Sequence, residues 1–188
     1  MSNLYKVLLY MCVMGFAPCA AAQNMDDPIV YTASFTKKIE KIHLDVYEPV
    51  ESWLHVYPMS RDSFMRYDLV LQNDRNDFEV RYRIRPERGR WKNTPQFVEF
   101  QRVLSSIATN DPEADIRLLK PDQAFFEEAF NATDGSIAYF TPKFSFSEKT
   151  HGALISITDA GNAAVDIVIL YNEDEYDALR SFRHLRFQ

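Results

Sequence analysis

From Phe64 to Arg85 the chain alternates apolar and polar residues with a period of two, the pattern of half-buried β-strands. Two strands are predicted, Phe64–Gln72 and Asp77–Arg85, joined by the turn-forming residues Asn73-Asp74-Arg75-Asn76. Pairing Gln72 with Asp77 places Met65, Tyr67, Leu69 and Leu71 on one face with Phe78, Val80, Tyr82 and Ile84. The opposite face is charged. It pairs Asp68 with Arg81 and carries Arg66, Arg83 and Arg85, the last two without a carboxylate across the hairpin.

The remaining pattern alternates between strand and helix. Ile29–Phe35 and Ile39–Val46 read as strands, the second because Ile42, Leu44 and Val46 alternate with His43 and Asp45. Trp53, Leu54 and Val56 predict a short strand before Pro58. Thr94-Pro95 opens a helix with Phe97, Phe100, Leu104 and Ile107 on its apolar face and Glu99, Gln101, Arg102 and Ser105 away from it. Pro121-Asp122 opens a second, with Phe125, Phe126, Ala129 and Phe130 inward. Ser136–Thr141 is a strand. Ala153–Thr158 and Ala163–Tyr171 form a hairpin across Asp159-Ala160-Gly161-Asn162, and the apolar run Val165–Leu170 fits a central strand covered on both faces. Glu173–Phe182 reads as a terminal helix with an acidic start and Arg180 and Arg183 near its end.

This order predicts an α+β fold in one domain, a mainly antiparallel sheet flanked by helices. Pro49–Trp53 ahead of the hairpin, the helix opened by Thr94-Pro95-Gln96-Phe97 and the closing segment Glu173–Phe182 together resemble the Mog1/PsbP-like fold. The resemblance covers about three quarters of the chain; Asp111–Asn131 has no counterpart in it. It implies an α/β/α sandwich and, since members are mostly noncatalytic binding proteins, some of them exported or lumenal, a binding role. Fold likeness alone is a poor guide to function.

Composition and address narrow the picture. Lys6, the apolar run Val7–Phe16 and the small residues Ala20-x-Ala22 have the order of a signal peptide over residues 1–22, leaving 23–188 as the mature domain, periplasmic or secreted. The apolar run is shorter than the roughly 20 residues that span a bilayer. Lipidation at Cys19 is the rival, and it alone would tie the chain to a membrane; Pro18 and Phe16 suit it poorly. Both cysteines, Cys12 and Cys19, lie in this leader, so the mature chain is expected to have neither a disulfide nor a thiol nucleophile. The net charge of -6 argues against nonspecific nucleic-acid binding.

Motifs for chemistry are few. His43, His55, His151 and His184 show no metal-ligand spacing, and Asp74–Asp77 lacks the glycine and distant glutamate of a calcium loop, so neither a metal nor a cofactor is expected. Neither a Gly-x-Ser-x-Gly elbow nor a glycine-rich phosphate loop is present. Glu127-Glu128 and Glu173–Glu175 read as solvated helix faces. A hydrolase with carboxylates assembled from separate strands is the enzymatic alternative. The more distinctive feature is basic: Arg83 and Arg85, continued by Arg88, Arg90, Trp91 and Lys92, form the candidate surface for an acidic protein or anionic ligand, with Asp68–Arg81 as a structural pair. The leader reading makes a direct prediction. The exported protein begins at Gln23, and its intact mass should equal that of residues 23–188; a lipid-bearing Cys19 at the N-terminus would overturn it.

Overall fold

The computed structural model describes residues 29–47, 54–57, 65–73, 75–86, 94–119, 121–172 and 185–188. The leader, Trp53, Arg88, Arg90, Trp91, Lys92 and Glu173–Phe182 lie outside these residues. The fold is α+β, built on a large antiparallel sheet with three described helices.

Seven strands lie in the order β2 (Leu54–Val56), β3 (Leu69–Asn73), β4 (Phe78–Pro86), β8 (Ala163–Tyr171), β7 (His151–Asp159), β6 (Asp134–Phe140) and β5 (Arg117–Leu119). Two sequential meanders, β2–β3–β4 and β5–β6–β7–β8, therefore meet along one seam between β4 and β8. That seam pairs nine residues, from Phe78 opposite Tyr171 to Pro86 opposite Ala163. All nine residues of β8 are buried, as its apolar run predicts for a central strand. A separate two-stranded ribbon pairs β1 (Leu44–Val46) with β9 (Leu185–Phe187).

The alternation of side chains divides the core in two. One face of the sheet carries Leu69, Leu71, Val80, Tyr82, Ile155, Val165 and Ile167, covered by Phe35 from α1 (Ala33–Lys41), Phe126 and Phe130 from α3 (Gln123–Phe130), and Leu44 and Phe187 from the ribbon. The other carries Val70, Ala138, Leu154, Val168 and Leu170, covered by Phe100, Val103, Leu104 and Ile107 of α2 (Gln96–Ile107). Lys143 secures the last turn of α2 by donating to the carbonyls of Ser105 (2.7 Å) and Ser106 (3.2 Å), a cation at the negative end of the helix.

Several expectations need correction. Ile29–Phe35 and Ile39–Val46 are not two strands. A helix occupies Ala33–Lys41 and only Leu44–Val46 forms a strand. Thr32 caps the helix, its Oγ1 accepting from the Phe35 amide, and Phe35, Ile39 and Ile42 recur at helical spacing toward the core. The β3–β4 hairpin keeps its predicted faces but slides by two residues: Leu69 faces Tyr82, Val70 faces Arg81, Leu71 faces Val80 and Gln72 faces Glu79. The turn chemistry sets this register. Asn73 Oδ1 accepts from the amides of Asp77 (3.0 Å) and Phe78 (3.1 Å), and Asn76 adopts a positive φ of 52°. The four-residue connection therefore starts one position later than expected. Thr94 does not cap α2; Pro95 occupies the cap position without a side-chain bond. Phe100, Leu104 and Ile107 are buried as expected, but Phe97 is half exposed and Glu99 is buried, the reverse of the prediction for those two residues.

The second hairpin turns at Gly161, whose φ of +82° suits glycine. α3 starts where Pro121-Asp122 predicts, and Asp122 caps it, accepting from the Phe125 amide at 2.9 Å. The segment Asp111–Asn131 supplies edge strand β5 and helix α3. Below that helix, Gly135 leaves room for the Phe126 ring: a Cβ there would stand 2.3 Å from Phe126 Cε1. Gly135→Ala should therefore cost about 1–3 kcal/mol in urea melts through overpacking. The double variant Gly135→Ala with Phe126→Leu should recover part of that loss, and a single variant as stable as the parent would refute the contact.

Candidate functional site, a cationic cleft above buried ion pairs

Strand parity places Arg81, Arg83 and Arg85 on the α2 face of β4, as the sequence pattern requires. What meets them differs from expectation. Asp166, wholly buried on β8, lies directly opposite Arg83. It accepts from Arg85 Nε (2.8 Å), Arg85 Nη2 (2.9 Å), Arg83 Nη1 (3.4 Å) and Ser156 Oγ (2.7 Å). Glu99 descends from α2 and accepts from Arg83 Nη2 at 3.0 Å and, in a two-point fork, from Arg102 Nε (2.8 Å) and Nη2 (2.7 Å). The charges alternate along one line, Arg102–Glu99–Arg83–Asp166–Arg85. Gln96 adds a second tie between α2 and the sheet, donating to the Ser156 carbonyl (3.2 Å) and accepting from Ser136 Oγ (3.3 Å).

Arg83 and Arg85 thus have carboxylate partners inside the domain, contrary to the sequence expectation. Arg85 is buried. The pair Asp68–Arg81 is also corrected. Arg81 bonds Glu79 on its own strand and lies over the rings of Phe146 (4.5 Å) and Tyr67 (5.4 Å). Asp68 pairs with Lys38 of α1 and accepts from the Ile84 amide at 2.7 Å. Arg81 remains a structural residue, with different partners, because the two-residue slide of β3 carries Asp68 past it. Arg88, Arg90, Trp91 and Lys92 lie outside the described residues.

Above the ion pairs, where β3, β4, α1 and α2 converge, lies an open cleft of about 570 Å³. Its walls include Lys38, Arg66, Arg83, Arg85 and Arg102, with Asp68 as the one carboxylate among the described residues, and Met65, Ile84, Pro86 and Val103 as apolar surface. Arg66 is exposed and makes no ion pair among the described residues. Of the residues that sequence reasoning proposed for binding, the structure brings Arg83 and Arg85 to the cleft. It adds Lys38, Arg66 and Arg102.

A signal for the buried partners exists in the sequence. Asp166 is the only charge in the run Val165–Leu170, and a carboxylate in a strand covered on both faces requires a cation. Glu99 stands three residues before Arg102, a spacing that lets the two pair on a helix, and next to Phe100, which is buried.

Glu99 and Asp166 are both committed to cations. Burial alone would raise the Glu99 carboxyl, but the hydrogen bonds and charges of Arg102 and Arg83 outweigh it and hold Glu99 below the usual carboxylate range. A general acid needs the opposite shift, and Asp166 is closed off by four donor atoms. The histidines do not converge: His43 follows α1, His55 lies on edge strand β2, His151 stacks on Tyr171, and His184 is outside the described residues. Among the described residues no group of three metal-ligating side chains forms, and no helix is long and apolar enough to cross a membrane. Comparison of the chain with protein-family models, with curated proteins and with solved structures finds no match.

The pairing of Glu99 makes stability pH-dependent with a defined sign. Its folded-state value lies below the unfolded one of about 4.3. The contribution is therefore complete above that value and is lost as pH falls through the lower folded one. Glu99→Gln should cost about 3 kcal/mol at pH 7, the low end for breaking a buried pair because Arg102 stays largely in water. In urea melts the gap between parent and variant should narrow steadily from pH 5 downward. A gap that widens on acidification would contradict the assignment.

Proposed function

We propose that this chain is a noncatalytic, exported binding domain of the cell envelope that acts through the cationic cleft on an anionic ligand or an acidic group of a protein partner. One observation carries the reading: among the described residues, five cationic side chains and a single carboxylate line the cleft, in a chain whose net charge is -6. Concentrating cations against the overall balance costs repulsion, which an anion relieves. Arginine forks suit carboxylate and phosphate. The order of Lys6, the apolar run and Ala20-x-Ala22 supports export. A Mog1/PsbP-like domain is part of the same proposal, supported by the order of hairpin, following helix and returning strands, with α2 on one face of the sheet and α1 and α3 on the other.

The test separates the cleft from the rest of the surface. Calorimetric titration with a glutamate-rich peptide and with phosphate, sulfate and citrate at low salt should show binding that weakens as salt rises, because exposed charges are screened over about 10 Å at 0.1 M. Arg66→Glu should weaken it roughly tenfold or more, since reversal alters the local charge by two. Arg75→Glu, the same reversal in the exposed β3–β4 turn, should leave it unchanged. Equal losses in both variants would reduce the effect to bulk charge and sink the reading.

A further inference from the structure

Among the described residues the buried charged side chains are Arg81, Arg85, Glu99, Lys149 and Asp166. Four of these meet an opposite charge: Arg81 meets Glu79, Arg85 and Asp166 meet each other, and Glu99 meets Arg83 and Arg102. Lys149 is the exception. It is 8% exposed, and no carboxylate among the described residues lies within ion-pair distance of its ammonium. Its one acceptor is Asn76 Oδ1, at 2.9 Å. An ammonium carries three N–H groups, and a charge taken out of water needs a partner of opposite sign. Lys149 lines an open cavity of about 260 Å³ beside the β3–β4 turn, which shares no described lining residue with the cationic cleft. Gln72, likewise buried, lines it too, and its amide nitrogen donates to the same Asn76 oxygen. Two nitrogens in contact with one oxygen stand side by side. Among the described residues Lys149 keeps two N–H groups without an acceptor and Gln72 keeps one.

We infer that this cavity is a second binding site, for a small organic carboxylate whose two oxygens bridge Lys149 Nζ and Gln72 Nε2 and whose short carbon chain lies against Val70 and Tyr57. A carboxylate only accepts, so it suits adjacent donors, and its bond to an ammonium is charge-assisted. Glu79 and Glu148 also line the cavity, so selection rests on contact with these two donors and not on an excess of positive charge. The cavity is smaller than the roughly 300–1,000 Å³ of sites for drug-sized molecules, which sets the ligand at a few carbons. The Lys149 amide donates to Ser147 Oγ at 3.1 Å, and the side chain is already packed, so a ligand need not order it.

Butyrate and its neutral isostere butyramide serve as probes, titrated into residues 23–188 at neutral pH and followed by the backbone amide signals in NMR. Butyrate should shift the Gln72, Asn76 and Lys149 signals saturably. Butyramide should bind roughly tenfold more weakly, as the loss of a hydrogen bond between charged groups implies. Lys149→Met keeps an unbranched stem without the ammonium and should weaken butyrate by a similar factor, while Arg66→Gln, in the cationic cleft, should leave it unchanged. The comparison of the two probes on the parent chain stands whether or not the Lys149 variant folds. Butyrate shifts confined to the cleft around Met65 and Arg66 would overturn this site and leave the reading of the cleft intact. Equal binding of both probes, or no saturable shift from either, would show that water alone serves Lys149 and would overturn the inference.

Discussion

A full negative charge at the centre of the sheet is the constraint on which this structure turns. Asp166 sits on the strand that every other part of the sheet encloses, and an unpaired carboxylate there would cost several kcal/mol. Its partners must come from the adjacent strand, and Arg83 and Arg85 do so with the parity that β4 already has. Arg83 brings a second requirement: its other guanidinium nitrogen takes Glu99, which fixes where α2 lies on the sheet. The aliphatic contacts of Phe100, Val103 and Leu104 would hold a helix on this face at many offsets. The Glu99 and Gln96 bonds select one of them.

The same chain of charges links architecture to the cleft. Asp166 and Glu99 fasten Arg83 and Arg85 from beneath, so that part of the cationic wall is held by buried bonds. Lys38 reaches across from α1 to Asp68, and Asp68 in turn holds the Ile84 amide beyond the start of β3. Elements from both sides of the sheet therefore contribute to one opening. A smaller chain could make a basic patch from surface lysines. A fixed set of guanidiniums in a concave wall requires the buried acids behind it.

How much of this was legible depends on the distance over which the deciding interaction acts. The faces of the hairpin, the start of α3, the Gly161 turn and the buried character of β8 rest on neighbours within a few residues, and the sequence pattern predicts them. The register of β3 against β4 required knowing that Asn73, rather than Gln72, closes the turn, a choice between two equally polar residues. Ile29–Phe35 misled because three apolar residues before a cap resemble a strand until Thr32 is recognised as the start of a helix. The partners of Arg83 and Arg85 were harder for a different reason. Asp166 is 83 residues beyond Arg83, and no local pattern joins them. Only the argument that an isolated aspartate in a buried strand must be matched points toward the arginines, and it does not say which strand will be adjacent.

The seam between β4 and β8 has a consequence for how the chain reaches this state. Each meander joins strands that follow one another in the sequence, whereas their junction must bring together segments separated by the entire span from α2 to β7. Such non-local pairing is the slow event in sheet formation, since loop entropy is spent before the contacts form. A seam of Val, Ile and Tyr alone could join in neighbouring offsets and trap the chain there. Arginines on one margin and a lone aspartate on the other make a slipped junction electrostatically frustrated and the native one self-consistent. The ion pairs that shape the cleft would then also act as a kinetic key, rejecting misaligned halves before α2 closes over them.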